Sequence, residues 1–365
     1  MVKFFDIFKQ DKDKFQNNIS DFKNIIKNTN FINGKQVLEF EKNFAKFCTT
    51  KYAVGCNSGS DALFLSLKAL NLKKNSEVII PAQTYASTLF AVLRANLKPV
   101  LVDIQKTNPT ISINQIRKKI TKKTTAIIIV HLYGECCNFK ELKKIINKKK
   151  IYIIEDAAQA HGAKDFSSNK KGLLAGSMGI LGCFSFYPGK NLGAYGDAGA
   201  ITTNSKNLYI KLLKLRNLGG IKKYEHDIIG LNSRLDTIQA AILNNKLRSL
   251  NKNNLKRVQI AKFYNQKIKN HHIKKINYSK GCVYHQYVIL SKKEKKIRKL
   301  FEKNKIQYGK HYPQPIHKLK AVKEIFRNKS YPNAENFSNY GISLPIDPNL
   351  KKFELMKICK ILNSV

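Results

Sequence analysis

Residues 151–163 read IYIIEDAAQAHGA: an apolar run, then two adjacent carboxylates, then small residues broken by Gln159 and His161. A short, continuously apolar run is what a strand covered on both faces looks like. In open α/β sheets ligands bind beyond the carboxyl ends of such strands. The carboxylates Glu155 and Asp156 stand at that end. A carboxylate desolvated there by apolar neighbours is costly unless it meets a cation. A helix-capping aspartate would account for the same letters.

The pattern around this segment is repetitive. EVIIPA (77–82), KPVLVDI (98–104), AIIIVHL (126–132), IYIIEDA (151–157), LGCFSFY (181–187) and AGAITT (198–203) read as strands. Helical periodicity lies between them, in SDALFLSLKALNL (60–72), TLFAVLRAN (88–96) and FKELKKIINKKK (139–150). Alternating β and α units imply an α/β fold, a mostly parallel sheet with helices on both faces. After SRLDTIQAAILNNKLRSL (233–250) the texture changes to a long lysine-rich helix, VYHQYVIL (283–290), a helix near 292–304 and QYGKHYPQPIH (307–317). The expected division is a large domain over 1–245 and a smaller C-terminal α+β domain over 246–365, with the extreme N-terminus packing on the smaller one.

Composition narrows the function. A chain of 365 residues, 43% hydrophobic, can bury a large core. No run approaches the ~18 apolar residues of a membrane span. The opening MVKFFDIFKQDKDK is too short in apolar residues and too acidic for a secretory signal, so the expected location is cytoplasmic. The seven cysteines show no CxxC pair and no metal-ligand spacing, and no metal is expected. A net charge of +43 would suit a nucleic-acid ligand. The excess is nearly all lysine, runs the length of the chain beside abundant asparagine and isoleucine, and is poor in arginine. That is a compositional bias rather than a binding face, and no nucleic-acid partner is expected.

Two further stretches carry chemistry. NSGSDALFLSLKAL (57–70) puts Gly59 and Ser60 at a helix mouth, where free N–H groups attract an anion. An N-cap by Ser58 or Ser60 explains the same residues. FSFYPGKNLGAYGDAGA (184–200) offers the Ser185 hydroxyl and Lys190, the one charged residue between Lys171 and Asp197. Desolvation lowers a lysine's pKa and favours the free amine that a Schiff base needs. Beside such a lysine, Asp156 reads as an acid paired with a protonated ring nitrogen.

SGSDAL, PAQTYAST, EDAAQAHGA, FSFYPGKNLGAYGDAGA, GLNSRLD and KHYPQPIH occur in an order that resembles the DegT/DnrJ/EryC1/StrS family of pyridoxal-phosphate-dependent sugar-nucleotide aminotransferases. The likeness runs from about residue 31 to residue 348 and implies the aspartate-aminotransferase-like fold, PLP fold type I. It implies that Lys190 carries pyridoxal 5'-phosphate in Schiff-base linkage and then shuttles the proton. Asp156 would pair with the pyridine nitrogen, Gln159 with the phenolic oxygen, and Tyr85 would stack on the ring. Gly59, Ser60 and Ser185 would hold the phosphate, joined by Asn232 from a partner subunit of a homodimer. Arg234, His311 and Tyr312 would contact the nucleotide-sugar. Ser60 stands where the family often has threonine, and the hydroxyl is kept.

The resemblance implies amino transfer from glutamate to a keto-deoxysugar linked to a nucleotide. GKNLGAYGDAGA with HLYG (131–134) is most similar to members that aminate C3 of a dTDP- or UDP-linked 3-keto sugar, C4 amination being the second choice. The product would be a 3-amino sugar for surface polysaccharide or glycoconjugate. Sugar dehydratase relatives replace the lysine with histidine, and Lys190 argues against them. A non-catalytic basic regulatory or nucleic-acid-binding protein is supported by charge alone.

Overall fold

The computed structural model describes residues 1–365 apart from Lys148 and Lys223. Seven strands form the main sheet: β1 (Tyr52–Cys56), β2 (Glu77–Pro81), β3 (Lys98–Val102), β4 (Thr124–Val130), β5 (Tyr152–Asp156), β8 (Leu181–Ser185) and β9 (Gly199–Thr203). The two-residue strands β6 (Lys164–Asp165) and β7 (Leu173–Leu174) pair with each other between β5 and β8. The order across the main sheet is β1-β9-β8-β5-β4-β2-β3. All neighbours from β8 to β3 run parallel, whereas β9 is antiparallel to both β8 and β1. The α/β reading and the mostly parallel mixed sheet therefore hold.

Each strand alternates its side chains between two apolar layers. In β4, Ile127 and Ile129 enter one core and Ala126 and Ile128 the other. In β2, Ile79 joins the first while Val78 and Ile80 join the second. Both faces being covered, the strands read as unbroken apolar runs. Pro99 lies in β3, an edge strand, where a missing N–H costs no ladder bond on the open side. Strand β1 was not legible in sequence: YAVGC is short, contains glycine, and sits between two helices, Lys35–Phe47 and Gly59–Ala69.

A third core gathers Val2 with residues from Ile260 to Val365, around the small sheet of β10 (Lys274–Lys275), β11 (Tyr287–Leu290) and β12 (Gly341–Leu344). The helix Leu250–Lys267 leads into it. Not all of the later chain stays there. Ile316, Val322 and Phe326 pack into the second core of the main sheet. No helix among the described residues is long and apolar enough to cross a membrane.

Candidate active site

The carboxyl ends of β2, β4, β5 and β8 open onto a cavity of about 520 Å³. It receives Tyr85 after β2, Val130 from β4, Asp156 from β5 and Ser185 from β8, with Gly59, Ser60, Gln159, Lys190, His311 and Tyr312. Nine of these ten are residues the sequence singled out; Val130 is the addition. Asn232 and Arg234 are not among the cavity's lining. Ser233 faces inward, accepting from the Asn57 N–H at 3.2 Å and donating to Asp61 at 2.8 Å. Its neighbour Asn232 is exposed, and Arg234 donates to Asn217 at 3.0 Å.

The two adjacent carboxylates of β5 have separate tasks because successive strand side chains point to opposite faces. Glu155 is buried away from the cavity, accepting N–H groups of Gly176, Met178 and Gly179, each at 2.7 Å. His131 Nδ1 accepts from the Cys137 N–H, so its Nε2 donates to Glu155 at 2.9 Å. Asp156 faces the cavity. Its Oδ2 accepts from Thr88 Oγ1 at 2.8 Å, and Oδ1 accepts the Ala158 N–H at 3.3 Å. Burial pushes the Asp156 carboxyl above its ordinary value, opposed chiefly by the Thr88 hydrogen bond and also by Lys190. Thr88 was not foreseen as a site residue. Its signal was present in PAQTYAST: Thr84 and Thr88 are four apart, and their hydroxyls bond at 2.8 Å where the helix Ala86–Arg94 begins.

Lys190 sits in the loop 186–198, which leaves β8 and returns into β9 at the same sheet end, Ser185 pairing with Gly199. The loop is stitched by Phe186 N–H to Ala198 O and Ala194 N–H to Phe186 O, both 2.7 Å. Phe186 is buried edge-on against Phe40 and Phe44. Burial lowers the Lys190 amine to about 8, with Asp156 pulling the other way. The amine makes no hydrogen bond or ion pair among the described residues.

Beside Ser185 the helix Gly59–Ala69 brings its first residues to the cavity. Ser58 takes the capping role, accepting the Asp61 N–H at 3.1 Å, which leaves Ser60 to bond Ser87 at 2.6 Å. Gly59 is required by close approach: a Cβ there would lie 2.6 Å from Ser185 Cβ. A helix mouth with two hydroxyls and a bare backbone is a cradle for a phosphate. Gln159 Oε1 accepts the Tyr133 N–H and Nε2 donates to Tyr312 Oη, both at 2.7 Å, which fixes the amide's orientation. Burial holds His311 at about 4, so its ring is neutral, with Nδ1 2.8 Å from Ser343 Oγ. Tyr85, 59% exposed, stands at the mouth with its ring 5.5 Å from that of Tyr312. An anion cradle, a desolvated amine and a buried carboxylate on one cavity fit the phosphorylated pyridine expected from sequence.

The family described as the DegT/DnrJ/EryC1/StrS aminotransferase family matches residues 12–363. The chain is 39% identical to dTDP-3-amino-3,6-dideoxy-alpha-D-galactopyranose transaminase of Aneurinibacillus thermoaerophilus, over 100% of this chain and 99% of that one. It is 33% identical to UDP-2-acetamido-2-deoxy-3-oxo-D-glucuronate aminotransferase of Pseudomonas aeruginosa, over the whole of both. Among solved structures it is similar to S. venezuelae DesV in complex with a ketimine intermediate, with a TM-score of 0.95 and 32% identity over 100% of this chain and 98% of that one.

Proposed function

The chain belongs to the DegT/DnrJ/EryC1/StrS aminotransferase family, and from that premise we propose that it is a pyridoxal-phosphate-dependent transaminase that aminates C3 of a dTDP- or UDP-linked 3-keto-deoxysugar. The observation that carries this reading is the Lys190 amine, free and lowered to about 8, sharing one cavity with the buried Asp156. The names of the two relatives, both acting on position 3 of a nucleotide-linked sugar, support the carbon and the substrate class.

Pyridoxal phosphate, when bound, supplies an electron sink that allows an amino group and a carbonyl to be exchanged. The protein's part is positional and electrostatic. The Gly59 and Ser60 amides and the hydroxyls of Ser60 and Ser185, all lining the cavity, would hold the phosphate. Asp156, whose charged form the hydrogen bonds from Thr88 and Ala158 favour against its burial, would hold a proton on the pyridine nitrogen. Gln159 would bond the phenolic oxygen, and Tyr85 would cover the ring. Lys190 Nζ takes a proton from the reacting carbon and returns it, a task suited to an amine titrating near neutrality.

The amino donor in this reading is L-glutamate. The assembly is a homodimer in which Asn232 and Arg234 of one chain serve the other's pocket. Their outward position beside the inward-facing Ser233 supports that arrangement. Arg234 suits the substrate diphosphate. The protein works in the cytoplasm, as seven buried, unbridged cysteines favour.

The first test is optical: purified protein should be yellow, and borohydride should abolish the visible band. The second is a panel of 3-keto and 4-keto sugars on dTDP and UDP. Faster turnover of the 4-keto compounds would move the reaction to C4, and no turnover with a colourless protein would defeat the reading.

A further inference from the structure

Residues 1–11 precede the stretch matched by the family description, although the relatives align over the whole chain, and Phe4 and Phe5 of this segment line the active-site cavity. The segment that carries them is pinned along the smaller core. Val2 is buried and bridges Ile306, its N–H bonding Lys305 O at 2.9 Å. The Phe4 N–H donates to Gln307 Oε1 and the Asp6 N–H to Asp347 Oδ2, each at 2.8 Å. Between these anchors the Phe4 ring stacks on His311, centroids 5.9 Å and planes 18° apart. Gly309 is what admits that stack. A Cβ there would lie 2.5 Å from His311 Cε1 and 3.1 Å from Phe4 Cζ.

Phe5 differs. Its side chain is 42% exposed and reaches the lysine loop, its Cε1 3.9 Å from where a Cβ of Gly189 would stand. One strap thus runs from the smaller core to the residue beside Lys190. A half-exposed aromatic ring facing a cavity gains free energy when an apolar surface covers it.

Taking the proposed function as given, we infer that strap residues 2–6 wall the sugar subsite, Phe5 packing on the pyranose ring of the nucleotide-linked substrate and Phe4 holding His311 beside it. Three observations select the sugar ring. The reacting carbon must meet Lys190, and Phe5 lies one residue's reach from it. The nucleotide is a diphosphate farther away. Phe5 and His311 also line the same cavity as Lys190, so a substrate ring brought to the amine meets a wall that includes both. A deoxysugar, with C–H surface where a hydroxyl is missing, is the class that an aromatic wall favours.

Calorimetry on the full-length holoenzyme tests this, with dTDP-3-amino-3,6-dideoxy-α-D-galactopyranose, its UDP-linked counterpart, and dTDP and UDP alone as probes. Phe5→Ala, at an exposed position that folding does not need, should weaken the amino-sugar nucleotide about tenfold and leave the bare nucleotide within twofold. KM for the keto sugar should rise with it more than kcat falls, and Phe5→Leu should recover part of the loss. Unchanged affinity for the amino-sugar nucleotide in Phe5→Ala would overturn the inference. Equal weakening of the bare nucleotide would overturn it too, by placing the ring against the nucleotide. Wild-type protein that binds none of the amino-sugar nucleotides would instead overturn the proposed function and the sugar wall with it.

Discussion

Asp156 and Lys190 face one cavity without touching: among the described residues no ion pair joins them within 4.0 Å, although each is shifted by the other's charge. Burial raises the carboxyl and lowers the amine, so both stand nearer neutrality than in water.

The first prediction concerns the amine's titration. In cofactor-free protein, competitive acylation read by peptide mass spectrometry should give Lys190 a midpoint near 8. Asp156 raises that value, so Asp156→Asn should move the midpoint lower. The sign of the linked stability follows. Between about 8 and 10.5 the unfolded chain keeps a proton that the folded chain has shed, so this group's contribution to stability rises with pH across that window and is lost as pH falls through 8. A midpoint near 10, or an upward move in the variant, would contradict the burial argument.

Lys190→Ala should fold and still take up pyridoxal phosphate through the cradle of Gly59, Ser60 and Ser185. It should lack the borohydride-sensitive band, and transamination should fall about a thousandfold or more, the scale of a lost positioned acid–base group. Near-normal turnover would remove Lys190 from the chemistry.

Thr88→Val deletes the hydroxyl that bonds Asp156 Oδ2 at 2.8 Å. A hydrogen bond to a charged group contributes about 1.5–3 kcal/mol, so the expected rate loss is about ten- to a hundredfold. Without that donor Asp156 rises further, and the acidic limb of the pH–rate profile should move to higher pH. Thr88→Ser should restore both readings. An unmoved acidic limb would leave Thr88 as packing only.

Mixing of inactive variants tests the shared site. If each pocket takes Lys190 from one chain and Arg234 from its partner, a hybrid of Lys190→Ala and Arg234→Glu subunits has one intact pocket and one doubly damaged pocket. Unfolding and reassembling the two dead proteins together should then restore activity to about a quarter of wild type, on statistical pairing of a C2 dimer. No recovery despite demonstrated subunit exchange would place both residues in one chain's pocket.

Much of this site was legible because its parts are local. A phosphate cradle is a helix mouth, and Gly59-Ser60 sits at one. A ligand-facing acid lies at a strand's end, and Asp156 ends β5. An isolated lysine among glycines and aromatics needs no tertiary information to stand out. Other parts left only faint traces. Thr88 was visible in a motif without a partner to give it meaning. Phe4 and Phe5 lie far from every motif and reach the cavity through bonds to Lys305, Gln307 and Asp347, hundreds of residues away.

The sequence by itself determined the alternation of strands and helices, the apolar texture of a sheet covered on both faces, and the set of groups able to hold a phosphate, an acid and an amine. Those follow from local periodicity and side-chain chemistry. Only the tertiary structure decided the direction of β9, whose apolar letters would read alike in a parallel strand. That reversal returns loop 186–198 to the sheet end it left, and so puts Lys190 over the same edge as Asp156. It also decided that Glu155 turns into the protein while Asp156 turns to the cavity. Strand pairing and facing depend on contacts between segments distant in the chain, and no single stretch carries the free energy that selects them.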